Sequence, residues 1–327
     1  MNGPNWGILG AGYIAGKFAR DYRYVKEGQI MAVASRSREK AESFAQTHGI
    51  EKAYEGYEAL LADRDIDAIY VATPHSHHYE HTLAAIQHKK AVLCEKPAAV
   101  NTGQLKTMIN AAKAHQVLFM EAMWTYVMPV VKEIKRWITS GEIGEVKLIQ
   151  ADFCVHMDLP PEHRINNPHL AGGSLLDVGI YPVAFTNLLL DDKVEEIQAI
   201  AQFGDTGVDD TTLMNLRFQK GTLAQLTCST KHSTKREAYI FGTKGKIYAR
   251  EYWKARSAIL TTPHKEISYE DPREAQGYHY EIDEMNRLMR EKKMESPRIP
   301  FAMSLQNLQI LDDVRSHIKL TYPFEQQ

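Results

Sequence analysis

Three stretches of this chain carry residue types that could do chemistry. The first is Lys96, at the end of Ala91-Val92-Leu93-Cys94-Glu95-Lys96-Pro97. Four apolar strand residues stop there, because Pro97 cannot continue a strand and biases Lys96 toward an extended backbone. An ammonium is thereby held at the carboxyl edge of what reads as a parallel sheet, where open α/β folds bind ligands. The second is Ala171-Gly172-Gly173-Ser174-Leu175-Leu176-Asp177-Val178-Gly179-Ile180-Tyr181-Pro182. A glycine pair lets backbone crowd a ligand, and on a helical path Asp177 and Tyr181 (i, i+4) share a face. A phenol near an ammonium such as Lys96 has a lowered pKa and can serve as general base at neutral pH. A helix start with a buried, hydrogen-bonded Tyr accounts for the same residues equally well.

The third is Gly10-x-Gly12-x-x-Ala15, between a first strand at Trp6–Leu9 and a first helix. Gly10 permits a tight turn, Gly12 lets backbone approach a pyrophosphate, and Ala15 allows close helix–strand packing. The phosphates would lie on the helix N-terminus, whose unpaired N–H groups favour negative charge. The second strand, Gln29–Ala34, runs into Ser35-Arg36-Ser37-Arg38, with no acid in reach for ribose hydroxyls. Arg36 and the Ser35 hydroxyl suit a 2′-phosphate through charge-assisted bonds, so NADP is expected over NAD, with NAD still possible. His75, His77, His78 and His81 lack Cys or Asp partners and an orienting shell for zinc. They are assigned to a cofactor loop, and no metal is expected.

Positioning these residues requires alternating strands and helices for about 120 residues, the mark of βαβ units on a parallel sheet. Helices are expected at Arg38–Thr47, behind Ser37 and closed by Gly49, and at Tyr57–Ala62 and His78–His88, with another opened by Asn101-Thr102. Strands are expected at Ala68–Ala72, Ala91–Cys94 and Val117–Met120. After Trp124 the texture changes. A helix at Pro129–Ser140 precedes long strand runs at Glu145–Val155, Val194–Phe203, Thr211–Phe218, Thr222–Thr230 and Glu237–Tyr248, with turns at Lys220-Gly221 and Lys244-Gly245. Helical patterns return at Tyr280–Lys293 and Ser304–Lys319. The class is α/β: a Rossmann dinucleotide-binding domain over 1–123, then an α+β domain over 124–327 on an open, mainly antiparallel sheet. The last helix is expected to pack back on the first domain.

The chain has 327 residues, 44% of them hydrophobic and 24% charged, with a net charge of −2. That balance gives no electrostatic reason for a nucleic-acid or membrane partner. No transmembrane run or basic-then-apolar leader is read. Cys94, Cys154 and Cys228 lie far apart in apolar runs and read as reduced core thiols of a cytoplasmic protein.

Taken together, Gly10–Ala15, Thr73-Pro74 with His78, Glu95-Lys96-Pro97 and Gly172-Gly173 through Asp177-x-Gly179-x-Tyr181 resemble the Gfo/Idh/MocA family of NAD(P)-dependent oxidoreductases. Glu121-Ala122-Met123-Trp124-Thr125 and Arg164 ahead of the glycine pair narrow the likeness to the dimeric dihydrodiol and NADP-dependent D-xylose dehydrogenase branch. The resemblance implies Lys96 as the active-site Lys, Tyr181 as its acid/base partner and Asp177 as the residue that orients substrate. It also implies cofactor contacts from Gly10, Gly12, Tyr13, Ile14, Ala15, Thr73, Pro74, His75, His78 and Glu95, and substrate contacts from Trp124, Tyr126 and Arg164. The open sheet is implied as the face of a homodimer, alone or in a dimer of dimers. His75 and Tyr126 depart from residues common in relatives (Asn and Arg), so substrate identity does not carry over. The expected reaction moves a hydride between the nicotinamide and a carbinol or carbonyl carbon of a sugar, polyol or cyclic diol. Two alternatives stand beside it: a fold relative that uses bound NAD transiently in glycoside cleavage, and a non-catalytic NADP sensor.

Overall fold

Apolar runs that end in glycine or proline, separated by capped helices, build the first half of the chain. The structure is a computed structural model, and it describes residues 3–325. In order, it forms β1 (Asn5–Leu9), α1 (Tyr13–Asp21), β2 (Gln29–Ser35), α2 (Arg38–His48), β3 (Lys52–Glu55), α3 (Glu58–Ala62), β4 (Ala68–Val71), α4 (His75–Gln87), β5 (Ala91–Glu95), α5 (Thr102–His115) and β6 (Phe119–Ala122). The strands pair in the order β3-β2-β1-β4-β5-β6, all parallel. This is the doubly wound order, whose direction reverses between β1 and β4 and opens a crevice at the strands' carboxyl ends. Central strands β4 and β5 are buried on both faces, as a covered parallel sheet requires. The Ser37 hydroxyl caps α2 by accepting from Lys40 N, and the Asn101 side chain caps α5 by accepting from Gln104 N.

The second half continues with α6 (Pro129–Thr139), β7 (Val146–Cys154), α7 (Ile180–Leu190), β8 (Val194–Phe203), β9 (Asp209–Phe218), β10 (Leu223–Ser229), β11 (Glu237–Gly242), β12 (Lys246–Arg250), β13 (Ser257–Thr261) and β14 (Glu266–Glu270). It closes with α8 (Tyr278–Arg290) and α9 (Phe301–Ile318). The eight strands order as β14-β13-β12-β11-β7-β10-β9-β8 and are antiparallel except for the parallel β7–β10 pair. One face is covered by α6 and α7. On the other, side chains alternate outward along β9 and β10, and Ile200, Leu213 and Leu223 are 68%, 44% and 49% exposed.

Two compact units result: Met1–Trp124 with Glu274–Ser304, and Thr125–Arg273 with Leu305–Gln327. Within the first, the Asp21 carboxylate accepts from the backbone N–H groups of Gln276, Gly277 and Tyr278, so it caps α8 from the end of α1. The Trp6 indole N–H donates to Asn286 on the same helix.

Several local readings need correcting. Helix α4 starts at His75 rather than His78, because Pro74 stops the strand but sits at the helix N-cap, where its missing N–H costs nothing. Strand β6 lies two residues later than the apolar run suggests. The edge strands β3 and β14, and β13 next to β14, have mixed, partly exposed sequences with little apolar signal. The stretch Pro168–Leu190 is long and apolar enough to cross a membrane by length and composition, contrary to expectation. However, 89% of its most apolar window is buried inside the protein, and α7 is a core helix.

Candidate functional site

At the carboxyl end of β1 the chain turns at Gly10, whose φ is +101° and where a Cβ would lie 2.8 Å from the Ala72 carbonyl oxygen. Only glycine fits both constraints. Gly12 is the N-cap of α1 and makes no side-chain cap bond; a Cβ there would meet nothing within 4 Å. No acid stands in the first turn of α1. A nine-residue helix with open space before its N-terminal N–H groups suits a pyrophosphate, so these residues fit a dinucleotide. Ala15 is fully buried beneath it, and Tyr13 is exposed with the Lys17 ammonium 4.5 Å from its ring centre.

At the end of β2, Ser35 is buried and Arg36 exposed. The Arg36 charge lowers the pKa of both Tyr57 and His81, although burial dominates each shift and raises the phenol while lowering the imidazole. His81 packs edge-on against Tyr57 at 4.5 Å and hydrogen-bonds the Thr73 hydroxyl at 3.0 Å. These contacts tie the Arg36 loop to the Thr73-Pro74 loop after β4. His81 belongs to the histidine cluster assigned to a cofactor loop, whereas nothing in the sequence marks Tyr57, which reads as an ordinary helix position.

Around Lys96 the arrangement is tighter. Every residue from Ala91 to Val100 is buried except Lys96, which is partly exposed. The Glu95 carboxylate accepts from the Tyr70 hydroxyl and from the backbone N–H of Lys96 at 3.2 Å. His78 lies fully buried between the Pro97 and Thr73 carbonyl oxygens, with a ring nitrogen 2.8 Å from each. Glu121 accepts from Ala98 N at 3.0 Å. Thus groups from β5, α4 and β6 grip the backbone of residues 96–98, and charged partners make such bonds the stronger kind. Burial pushes the His78 pKa down to about 4, helped by the Lys96 charge and opposed by the two carbonyls. His78 is therefore neutral near pH 7 and donates to one carbonyl only. Burial raises the Glu121 pKa, against the lowering effects of the Ser304 side chain, of Ala98 N and of the Lys96 charge. His75, the first helical residue of α4, is also buried and sets its ring 5.7 Å from that of His78. Trp124, the last residue of its segment in this unit, lies against Tyr278 at 4.4 Å.

In the second unit, Arg164 and Asp177 form an ion pair at 2.8 Å, with Asp177 buried. The helical path from Asp177 to Tyr181 is not regular α. Leu175–Gly179 is a π turn, followed at Ile180 by α7, and such turns recur where a helix is distorted for function. Tyr181 is 8% exposed and stacks on Phe153 at 5.4 Å; Phe153 in turn meets Trp253 at 4.1 Å. These two aromatic neighbours come from strand β7 and from after β12, so no sequence window joins them to Tyr181. The glycine pair crowds the protein itself rather than a ligand: a Cβ at Gly172 would lie 2.4 Å from the Ile165 carbonyl oxygen, and one at Gly173 would lie 2.1 Å from Asp209 Oδ1. The Tyr126 hydroxyl donates to the Ala184 carbonyl and accepts from Asn307, beneath α7. Among the described residues, no group of three or more His, Cys, Asp or Glu is arranged to hold a metal ion.

Residues 4–123 match the family model described as "Oxidoreductase family, NAD-binding Rossmann fold", and residues 131–248 match that of the GFO/IDH/MocA C-terminal domain. The chain belongs to the Gfo/Idh/MocA oxidoreductase family. It is an NAD(P)-dependent oxidoreductase. Among curated family members it is 36% identical to trans-1,2-dihydrobenzene-1,2-diol dehydrogenase of Danio rerio, over 98% of this chain and 99% of that protein. The Homo sapiens protein of the same name is 32% identical, over 97% and 98%. Among solved structures, the 3-ketoreductase KijD10 of Actinomadura kijaniata, in complex with NADP and TDP-benzene, superposes with a TM-score of 0.89 at 25% identity. That match covers 97% of this chain and 98% of that one.

Proposed function

We propose that this family member is an NADP-preferring dehydrogenase acting on a secondary or anomeric hydroxyl of a sugar, polyol or cyclic diol. The observation that carries the reading is Lys96: one partly exposed ammonium in a buried run, its backbone fixed by Glu95, His78 and Glu121. A backbone fixed in this way limits where the ammonium can go, which favours a charge already in place when an alkoxide develops beside it.

Gly10, Gly12, Tyr13, Ile14 and Ala15 would hold the pyrophosphate, Ser35 and Arg36 the 2′-phosphate, and Thr73, Pro74, His75, His78 and Glu95 the nicotinamide side. The bound nicotinamide supplies or accepts the hydride at C4. Tyr181 takes the hydroxyl proton as the alcohol is oxidised and returns it in the reverse direction. Lys96 stabilises the developing alkoxide and lowers the Tyr181 pKa. Asp177, oriented by Arg164, binds a substrate hydroxyl, and Trp124 contributes an apolar wall. Tyr126 we assign to packing under α7 rather than to substrate, since its hydroxyl already has a donor and an acceptor. The relatives' names, a dihydrodiol dehydrogenase and a 3-ketoreductase, support a cyclic or sugar carbinol as substrate. The test is a screen of aldoses, inositols and cyclic diols with NADP, followed by NADPH absorbance. Turnover with at least one of these classes is expected; turnover with none of them, in either direction, would overturn the assignment.

The open face of the eight-stranded sheet supports a homodimer. Ile200, Leu213 and Leu223 lie on its uncovered side, and apolar side chains so exposed on one sheet face favour a second copy as cover. Light scattering at micromolar concentration should give twice the 37.2 kDa chain mass or a multiple of that dimer. A monomer mass would rule this assembly out. The three cysteines are free and buried, which supports a reducing compartment such as the cytoplasm.

A further inference from the structure

Asp209 opens strand β9 and is fully buried. Its Oδ2 alone accepts three hydrogen bonds: from the Ser174 hydroxyl at 2.7 Å, from Leu175 N at 2.7 Å and from the Thr212 hydroxyl at 2.9 Å. Its Oδ1 has no hydrogen-bond partner and faces Gly173. Leu175 is the first residue of the π turn that carries Asp177, and that turn has no cap from its own side chains. A helical start leaves N–H groups unsatisfied, and a carboxylate there meets both the missing bond and the local dipole. Here the cap comes from a strand 34 residues further along, whose backbone is fixed in the sheet by pairing with β8 and β10.

Burial pushes the Asp209 carboxyl up to about 6 against the lowering effect of those three donors. An Asn would offer the same donors an uncharged oxygen, so each bond loses its charge assistance, and would put an amide nitrogen where Oδ1 faces Gly173. A carboxylate at this position, with Gly173 leaving room for it, holds the start of the turn through three charge-assisted bonds that a neutral side chain does not reproduce.

We infer that Asp209 is a positioning residue, which fixes the π turn and through it sets the placement of Asp177 and Tyr181 for the reaction. The inference rests on the reading of those two residues as substrate-binding and proton-transferring groups. Misplacement of a reacting group by about 1 Å can cost about 100-fold in rate. The residues assigned to the cofactor fall in the first unit and Asp209 in the second, and we expect NADP affinity to be independent of Asp209.

The experiment compares Asp209→Asn, Thr212→Val and Tyr181→Phe with the parent enzyme at a temperature well below every melting point. Readouts are kcat, substrate KM, NADP affinity from quenching of protein fluorescence, and melting temperature. Asp209→Asn should lower kcat by about 10–100-fold and raise substrate KM, with NADP affinity within about twofold of the parent. Thr212→Val, which removes one donor and keeps the carboxylate, should shift kcat and KM in the same sense but less. A folded Asp209→Asn with parental kcat and KM would overturn the inference, whatever its melting temperature. Should Asp209→Asn not fold, parental kinetics in Thr212→Val would overturn it instead. Parental turnover in Tyr181→Phe would remove the underlying reading, a result distinct from failure at Asp209.

Discussion

Lys96→Met should fold, bind NADP nearly as well as the parent, and lose about 100- to 1000-fold in kcat, the range seen when one preorganised electrostatic donor is removed. The fold should survive because the turn is held through backbone atoms: Lys96 N on Glu95, the Pro97 carbonyl on His78 and Ala98 N on Glu121. None of these bonds uses the ammonium. Removing the charge also lifts its depressing effect on the His78 pKa, which does not weaken the grip of a neutral ring. Cofactor affinity should persist because, on the proposed assignment, the N-terminus of α1 and not Lys96 would hold the pyrophosphate. Tyr181→Phe should damage the same step, and the double variant should be little worse than either single one, as for groups that act as a unit. Losses that multiply in the double variant would mean that the two residues serve separate steps. Near-parental turnover in Lys96→Met would contradict the mechanism itself.

Arg36→Ala should weaken NADP by about 1.5–3 kcal/mol, the worth of hydrogen bonds to a charged group, or roughly 10- to 150-fold. NAD should bind almost unchanged. Arg36 is exposed, and removing it leaves Ser35, Ser37 and the cap of α2 in place. On the proposed assignment the guanidinium would serve a group that only NADP carries. An equal loss for both cofactors would place Arg36 on the shared part of the dinucleotide, and a parental preference for NAD would end the 2′-phosphate assignment. Isothermal titration with each cofactor separates these results.

The features legible in the sequence are those whose cause is local. Pro97 stops β5 and so places Lys96, Ser37 and Asn101 cap their own helices, and Gly10 and Gly12 shape the short turn from Leu9 to Tyr13. Most strands of the first sheet are legible for the same reason, since burial demands continuous apolar runs; the edge strand β3, partly exposed, is not. What holds the site in place is not legible, because it is assembled across the chain. Tyr70 and Glu95 are 25 residues apart, Ala98 and Glu121 are 23 apart, and Leu175 and Asp209 are 34 apart. No window or spacing rule links such pairs. The glycine pair at Gly172-Gly173 was open to a ligand reading because the sequence shows that room is needed, but not what occupies it. The occupants are the Arg164 and Ile165 carbonyls and the Asp209 carboxylate. The π turn was missed for a related reason. Its residues have ordinary helical character, and the partner of its first N–H comes from β9, 34 residues further along.

Transfer of hydride between substrate carbon and nicotinamide is the central claim, and isotope transfer tests it most directly. The best substrate from the sugar and diol screen is deuterated at the carbon to be oxidised and incubated with the enzyme and NADP, and the reduced cofactor is analysed by mass spectrometry. The account predicts one deuterium per NADPH formed, none lost to water, and the same stoichiometry at a far lower rate in Lys96→Met. Deuterium appearing in solvent, or substrate consumed with no net reduced cofactor, would contradict it.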